Sequence, residues 1–178
     1  MDFSVRSLSS LISKHDEPAI TTMLKDFNPF IDSSTSEFLR EYAISMEKRD
    51  ISRTYLAFSY SDKTLLGFIT ISMKCISLPE ENLLSRNLLK QCNIDDSIGV
   101  AQAYLLGQIA RSNRSPKGFG NVLIDYAIGK VREAKGIVGC RVLRLDCANG
   151  LITYYEKNGF TLIRKNLEKD LNQMIIIV

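Results

Sequence analysis

The chain has 178 residues, of which 45% are hydrophobic and 24% charged, and its formal net charge is +3. These values are typical of a single soluble domain over residues 1–178, long enough to bury a core without disulfides or a metal ion. A charge this small, without a long basic run, does not by itself indicate a nucleic-acid partner.

The cysteines and the N-terminus indicate a reducing compartment. Cys75, Cys92, Cys140 and Cys147 form no C-x-x-C pair, and His15 is the only histidine, so we expect no metal site. The N-terminus has no basic segment followed by an apolar one, and no apolar run approaches the roughly 18 residues of a membrane span. We therefore expect a cytoplasmic protein with free thiols and no membrane partner.

The first half of the chain alternates helix and strand signals. A strand is predicted over Phe3–Leu8, and helices over His15–Lys25 and Glu37–Lys48, the second capped by Ser36. The runs "RTYLAFSY" and "LLGFITISMKCI" predict two strands of an antiparallel hairpin. Residues 79–93 predict an inserted helix, whose leucines at i, i+4 spacing suit a lid, a contact in a homodimer or simple packing.

The second half begins with a strand over Val100–Ala110 and continues with the best-patterned helix of the chain, Phe119–Lys135. Its apolar residues share one face, basic residues lie at its end, and Gly136 is the expected stop. "RVLRLDC" predicts a strand, "NGLITYYEKNGF" a short helix and "NQMIIIV" a final strand covered on both faces. The order β-α-α-β-β-(α)-β-α-β-α-β-β predicts a mixed α/β single domain.

The loop before the long helix carries Arg111, Arg114, Lys117, Gly118 and Gly120. A helix N-terminus exposes unpaired N–H groups and partial positive charge, so glycines and basic residues there suit a phosphate. Glycine also serves simple turns, and from this loop alone a structural turn and an anion site are equally favoured. The loop is not a Walker loop, because Asn121 follows the second glycine, and Leu123 occupies the third-glycine position of the dinucleotide fingerprint.

Two motifs in this order resemble the GNAT (Gcn5-related) N-acetyltransferase family. Its members carry Arg/Gln-x-x-Gly-x-Gly/Ala between a strand and a helix, and later a short helix ending in Tyr-x-x-x-Gly-Phe. "SPKGFG" occupies the first motif, with Ser115 in the Arg/Gln place, and "YEKNGF", Tyr155 to Phe160, occupies the second. The element order matches over almost the whole chain. The resemblance implies a central mixed sheet of about six or seven strands, flanked by helices and splayed at the acetyl-CoA site.

The resemblance also implies acetyl-CoA as co-substrate. The pantetheine arm would pair, like an added strand, with the end of the strand that precedes the loop. Asn149 lies one place after the position of the asparagine that usually binds this arm. The amides expected to hold the pyrophosphate are those of Lys117, Gly118, Gly120 and Asn121. The full set expected to bind acetyl-CoA is Ile109, Ala110, Arg111, Arg114, Lys117, Gly118, Phe119, Gly120, Asn121 and Asn149.

The resemblance gives Tyr155 the role of the general acid that protonates the departing thiolate. The alternative is a half-buried helix aromatic, and we favour the acid because of its offset from the Gly-Phe pair. The strand before the loop has no Asp or Glu to act as general base. A base matters less for an α-amine, whose ordinary pKa is about 8 against about 10.4 for lysine. Carboxylates considered for the base are Asp95, Asp96, Glu41, Glu47 and Asp146.

We expect direct acetyl transfer without a covalent intermediate, because Cys147 has no histidine near it in the pattern and is expected to be a packed thiol. The acceptor stays open between a small amine, an amino acid, a peptide amine and aminoacyl-tRNA. The run "LGQIA" is similar to the corresponding strand of tRNA-acetylating toxins of this family. The alternative function is a non-catalytic acyl-CoA-binding sensor of the same fold, which Ser115 and the missing carboxylate both suit.

Overall fold

The computed structural model describes residues 2–31, 34–77, 84–94, 99–166 and 171–178. The chain divides into two compact units. Unit 1 contains Met1–Ser72 and Gly107–Asp125, and unit 2 contains Met73–Leu106 and Tyr126–Val178. Among the described residues, no helix is both long enough and apolar enough to cross a lipid bilayer.

The strands of the described residues are β1 (Phe3–Ser7), β2 (Ser52–Ser59), β3 (Leu65–Met73), β4 (Ile76–Ser77), β5 (Val100–Ala101), β6 (Tyr104–Arg111), β7 (Val142–Ala148), β8 (Thr161–Asn166) and β9 (Leu171–Ile177). Seven of them form one sheet in the order β1-β2-β3-β6-β7-β9-β8, and β4 pairs with β5. Pairing is antiparallel for β1–β2, β2–β3, β7–β9 and β8–β9, whereas β6 and β7 run parallel. The predicted mixed sheet is confirmed.

The helices of the described residues are α1 (Leu8–Ile12), α2 (Glu17–Lys25), α3 (Ser34–Glu37), α4 (Ala43–Lys48), α5 (Arg86–Gln91), α6 (Phe119–Val138) and α7 (Ile152–Lys157). A π-helical segment, Phe38–Tyr42, joins α3 to α4, and a 3₁₀ turn, Asn149–Leu151, precedes α7. Ser36, the predicted cap, instead lies inside α3, where its hydroxyl is buried.

The core of unit 1 lies between its first helices and strands β2 and β3. Its buried side chains are Leu8, Ile20, Leu24, Phe27, Leu39, Ala43, Leu56, Leu65 and Phe68. Asp16 caps α2 by accepting a hydrogen bond from the N–H of Ala19 (3.3 Å). Glu47, near the end of α4, accepts one from the N–H of Thr54 in β2 (2.7 Å). These apolar and polar contacts fix the helices of unit 1 on its strands.

The core of unit 2 includes residues of β4, β5, β7, β8 and β9. Its buried side chains are Ile76, Leu84, Cys92, Ala101, Ala103, Val142, Ile163 and Ile175. Leu88 and Leu89 of α5 pack against this cluster. This contact supports the packing interpretation of the inserted segment, in which residues 78–83 lie outside the described residues.

The predicted strand Val100–Ala110 is two strands in the structure. Val100 and Ala101 pair with β4, and the carbonyl of Ala103 accepts a hydrogen bond from the N–H of Lys74 (2.9 Å). The chain therefore leaves one ladder before it enters the other. Local alternation of side chains does not reveal such a break, because both halves are extended.

The predicted helix stop at Gly136 is also displaced. Helix α6 passes through Gly136 and ends at Val138, and Gly139 follows with φ of +76°. The N–H of Gly139 donates to the carbonyl of Lys135 (3.0 Å). A glycine inside a helix costs only about 1 kcal/mol relative to alanine, whereas the left-handed turn after the helix strongly favours glycine.

Candidate functional site

The loop that leads into α6 leaves main-chain donors free. The N–H groups of Lys117, Gly118 and Gly120 have no main-chain acceptor among the described residues. The N–H of Asn121 donates to the carbonyl of Gly118 (2.9 Å). Gly118 has φ of +85°, and a Cβ there would meet nothing within 4 Å, so this glycine serves the backbone conformation. Free donors grouped at a helix N-terminus are an arrangement suited to an anion.

Two buried serines hold this loop in shape. Ser112 Oγ accepts a hydrogen bond from the N–H of Arg114 (3.1 Å). Ser115 Oγ donates to the carbonyl of Ser112 (2.7 Å) and accepts from Arg111 Nη1 (3.4 Å). The residues Arg114 and Lys117 are exposed. Ser115 therefore organises the loop without charge, and the two exposed cations remain to attract an anion.

Phe119 anchors the start of α6. Its side chain is buried, and its ring meets the ring of Phe3 edge-to-face with 5.4 Å between the centroids. Its N–H donates to the carbonyl of Pro116 (3.2 Å). Phe119 thus fixes the helix N-terminus through packing, and the neighbouring amides carry the free donors.

Strand β6 pairs with β7 only over its first two residues, at Tyr104↔Leu143 and Leu105↔Arg144. The later residues, Ile109–Arg111, have no ladder partner in β7. Unpaired strand edges can bind an extended ligand by main-chain hydrogen bonds. Ile109 and Ala110 therefore have an extended backbone that β7 leaves unpaired, whereas the carbonyl of Arg111 already accepts from the N–H of Phe30.

Gly67 of β3 allows its own strand and this part of β6 to approach closely. A Cβ at position 67 would lie 2.8 Å from the carbonyl oxygen of Ala110 and 2.9 Å from Leu123 Cδ1. Real Cβ atoms essentially never approach so closely. The sequence shows Gly67 as one more strand glycine, and only the structure reveals what its missing side chain makes room for.

The guanidinium of Arg111 stacks on an aromatic ring. It lies 3.5 Å from the ring centroid of Phe30, which is itself 56% exposed. The N–H of Phe30 donates to the carbonyl of Arg111 (2.9 Å), and the N–H of Asn113 donates to the carbonyl of Asn28 (3.1 Å). The side chain and the main-chain carbonyl of Arg111 therefore both hold residues 28–30 on the loop.

Tyr155 lies in α7 with only 6% of its surface exposed. Its ring meets those of Tyr154 and Phe160 edge-to-face, at centroid distances of 5.2 and 5.7 Å. Burial raises the pKa of Tyr155 well above its ordinary value of 10.0, and the nearby Cys147 and Tyr154 raise it further. The phenol is therefore protonated at physiological pH, which is the form that a general acid needs.

Cys147 lies on β7 as a buried thiol. Its Sγ is 3.6 Å from Met174 Sδ, and burial, with Asp146 nearby, raises its pKa to about 11. Thiolates are the nucleophilic form of cysteine, so a thiol with this pKa is a poor nucleophile at neutral pH. The structure thus places Cys147 as a packing residue beside Tyr155.

Asp146, one of the candidate bases, is bound to a buried arginine. Both of its carboxylate oxygens accept from Arg144 Nη2, at 2.9 and 3.0 Å. Arg144 is 5% exposed and also donates to the carbonyl of Cys75 (3.0 Å). The amide oxygen of Gln173, turned towards the guanidinium, accepts from it at 2.6 and 3.0 Å. Asp146 therefore neutralises a buried charge.

The other candidate bases differ in their surroundings. Glu47 is buried, its carboxylate accepts from Thr54, and burial raises its pKa against the opposing effects of Thr54 and Arg53. Glu41 is exposed and lines a cleft of about 480 Å³ in unit 1. Asp95 and Asp96 lie outside the described residues. Glu47 thus has a structural partner, and Glu41 is open to solvent.

Asn149 opens the 3₁₀ turn before α7, and its side-chain oxygen is held by another amide. Asn172 Nδ2 donates to Asn149 Oδ1 (2.9 Å) and to the carbonyl of Cys147 (3.2 Å). Asn172 is 1% exposed, whereas Asn149 is exposed. Asn172 was not recognised from the sequence, because it reads simply as the start of the last strand. In the described part of the chain, no group of three His, Cys, Asp or Glu residues could hold a metal ion.

The fold is GNAT-like, with a mixed seven-stranded sheet and the loop between β6 and α6 in the expected order. No protein-family model matches the sequence, and no curated protein matches it. Among solved structures, the chain is similar to AtaT complexed with acetyl-methionyl-tRNAfMet, at 20% identity over 99% of this chain and 95% of that chain, with a TM-score of 0.75.

Two further structures have the same architecture. A bacterial toxin has 12% identity, with 99% of this chain and 90% of that chain covered and a TM-score of 0.76. A tyrosine-to-phenylalanine mutant of KacT has 19% identity, with 97% and 94% covered and a TM-score of 0.73. At these identities the likeness establishes the fold.

Proposed function

We propose that this protein is an N-acetyltransferase that transfers an acetyl group from acetyl-CoA directly to an amine. The observation that carries the proposal is the turn at Lys117–Gly120, with its three free main-chain donors at the N-terminus of a 20-residue helix. A pyrophosphate is the part of coenzyme A that such donors suit. Structures of the same fold include AtaTR bound with acetyl-CoA, which supports this choice of ligand.

The donor would be bound by two features of unit 1. The pyrophosphate would accept hydrogen bonds from the N–H groups of Lys117, Gly118 and Gly120, with Arg114 and Lys117 supplying charge. The amide of Asn121 would share its proton between Gly118 and the phosphate. The pantetheine amides would pair with the main-chain groups of Ile109–Arg111 that Phe30 leaves open, as a peptide pairs with a free strand edge.

The reaction needs an amine nitrogen, a polarised thioester carbonyl and a proton for the leaving sulfur. The nitrogen forms a bond to the carbonyl carbon, the carbon–sulfur bond breaks, and Tyr155 gives its phenolic proton to the sulfur. The amine loses one proton, which restores the phenol through solvent, so the overall reaction consumes no external acid. Tyr155 suits this step because burial keeps it protonated until the thiolate forms.

Two of the candidate bases are already engaged, which favours an acceptor that needs little help from a base. Asp146 is bound to Arg144, and Glu47 accepts from the main chain. An α-amine has an ordinary pKa of about 8, so a useful fraction is neutral at physiological pH. We therefore favour α-amino acceptors, including an amino acid, a peptide N-terminus or the aminoacyl end of tRNA. The AtaT complex with acetyl-methionyl-tRNAfMet supports the last of these.

The decisive experiment compares wild type with Tyr155→Phe, using Tyr154→Phe as the neighbouring control. Release of free thiol from acetyl-CoA would be measured with methionyl-tRNA and with a panel of small amines and peptides. Loss of the hydroxyl should reduce turnover by roughly 10²–10⁴-fold, the usual contribution of a general acid, with CoA affinity retained. Equal turnover in wild type and Tyr155→Phe would remove Tyr155 from this role.

A second candidate is an acyl-CoA-binding sensor without turnover. Ser115 in the Arg/Gln place and the absence of a carboxylate from β6 favour it. Calorimetry would show coenzyme A binding in both cases, whereas thiol release with any amine would occur only in the enzyme. Growth arrest on expression, relieved by peptidyl-tRNA hydrolase, would further identify aminoacyl-tRNA as the acceptor.

We also propose a cytoplasmic location, and this rests on the thiols. All four cysteines are free, and Cys75 is exposed. Unpaired cysteines are usual in reducing compartments, which also contain the acetyl-CoA that the reaction needs. A homodimer remains a prediction, which size-exclusion chromatography with light scattering would test.

A further inference from the structure

We propose that Asn172 is a positioning residue that orients the side chain of Asn149 for the pantetheine arm of coenzyme A. The inference rests on the proposed function and adds to it a residue that carries no motif in the sequence. Asn149 is one place beyond the position at which an asparagine is expected to bind this arm.

The hydrogen bond between the two asparagines supplies this orientation. Asn172 Nδ2 donates to Asn149 Oδ1 at 2.9 Å and to the carbonyl of Cys147 at 3.2 Å. With its oxygen engaged, Asn149 has its NH₂ group left to donate to an acceptor outside the protein. A pantetheine arm carries two amide carbonyls, which are acceptors of this kind. Asn149 is exposed, so its NH₂ group is accessible to such a ligand.

The surroundings of Asn172 indicate that stability alone does not explain it. The residue is 1% exposed, and its Oδ1 is a buried acceptor with no hydrogen-bond partner among the described residues. An unsatisfied buried acceptor is destabilising, and an apolar residue of similar volume would remove that cost. The sequence retains the amide at the position where its donor reaches Asn149.

Strand register places Asn172 next to Cys147, which is a neighbour of the proposed general acid. Asn172 is directly opposite Cys147 in the β7–β9 ladder, and Met174, two residues further on, contacts Cys147 through sulfur. Residues two apart on a strand share a face, so Asn172 and Cys147 point the same way. Cys147 is also one of the groups that raise the pKa of Tyr155. Asn149, Asn172 and Tyr155 thus belong to one neighbourhood within unit 2.

The test is a double-mutant cycle on coenzyme A binding, measured by calorimetry. Asn149→Ala and Asn172→Leu should each weaken CoA by about 5- to 10-fold, the size of one neutral hydrogen bond. The double variant should be little weaker than either single variant, because both remove the same interaction. Adenosine 3′,5′-bisphosphate lacks the pantetheine arm, so its affinity should be unchanged in all three variants.

Two further variants separate positioning from a general structural effect. Met174→Leu alters the same buried face of β9 and should leave the affinity ratio of CoA to adenosine 3′,5′-bisphosphate unchanged. Asn172→Asp keeps the volume and removes the donor, so it should reproduce the loss seen with Asn172→Leu. If Asn172→Leu fails to fold, Asn172→Asp supplies the same comparison.

The results distinguish this inference from the function on which it rests. Unchanged CoA affinity in the Asn172 variants, beside a loss in Asn149→Ala, would overturn the positioning role and leave the acetyltransferase proposal intact. No effect of Asn149→Ala would also overturn it. Equal losses for CoA and adenosine 3′,5′-bisphosphate would assign Asn172 to structure only. Failure of wild type to bind either compound would overturn the proposed function itself.

Discussion

Gly67→Ala is expected to destabilise the protein at the contact between β3 and β6. The added Cβ would lie 2.8 Å from the carbonyl oxygen of Ala110 and 2.9 Å from Leu123 Cδ1, whereas ordinary contacts begin at 3.4 Å. Leu123 can rotate away, but the Ala110 oxygen belongs to the main chain of a strand. Relief therefore requires β3 and β6 to separate locally.

The magnitude follows from this geometry. Overpacking that forces backbone shifts costs about 1–3 kcal/mol. For a chain of this length, each kcal/mol lowers Tm by about 2–4 °C, so we expect a decrease of roughly 2–12 °C. Because the displaced atoms adjoin Ile109 and Arg111, affinity for coenzyme A should fall as well, since a strand edge must hold its register to bind an extended ligand.

Thermal and urea unfolding, followed by circular dichroism, would measure the loss. The matched control is Gly129→Ala, inside α6, where a Cβ would meet nothing within 4 Å. Alanine is the better helix former, so the control should gain up to about 1 kcal/mol. If Gly67→Ala is as stable as wild type and binds coenzyme A equally well, the close approach of the two strands does not constrain residue 67.

The remaining predictions concern three other positions. Glu47→Ala should cost about 1–3 kcal/mol in urea unfolding, because it leaves the buried N–H of Thr54 without an acceptor, whereas Glu47→Gln keeps an acceptor and should be nearly neutral. The pKa of Glu47 is raised above 4.5, so folding favours its protonated form. The contribution of Glu47 to the free energy of unfolding should therefore fall as pH rises from about 4.5 through its raised pKa. Glu47→Gln should remove that part of the pH dependence. An unchanged profile of stability against pH in this variant would contradict the prediction. Gly118→Ala should lower the free energy of unfolding by about 1–2 kcal/mol, because its φ of +85° is unfavourable for alanine. Its affinity for coenzyme A, measured by calorimetry, should fall as well. Unaltered affinity would argue against this turn as the phosphate site. Cys147, with a pKa of about 11, should resist iodoacetamide at pH 7.5, whereas the exposed Cys75 should react. Cys147→Ala should retain turnover. Rapid labelling of Cys147, detected by mass spectrometry, would contradict its assignment as a packed thiol.

Much of the fold was predictable because its elements have strong local signals. The hairpin of β2 and β3 has alternating side chains, and α6 has an apolar face of helical period. The general position of the loop before α6 followed from the glycines and the helix that comes after them. These features depend on neighbours in sequence, which is the information that a single chain provides.

What the sequence did not reveal depends on distant partners. The break at Gln102–Ala103 arises because Lys74 and β4 draw the chain into a second ladder. Gly67 is required by the close approach of the Ala110 carbonyl, and Asn172 is notable only because it donates a hydrogen bond to Asn149. Both pairs are far apart in sequence. The pattern of side chains within one segment does not indicate which distant residues will contact it.

The attachment of residues 28–30 to Arg111–Asn113 has a consequence for how the protein would respond to its ligands. These two stretches are connected so that they should move together. The connections are two main-chain hydrogen bonds, an isolated bridge between Pro29 and Ser112, and the stacked guanidinium of Arg111. A substrate that reshapes the loop would then carry the exposed ring of Phe30 with it. An environment-sensitive fluorophore at position 30 would therefore register the arrival of the first substrate before the second is added.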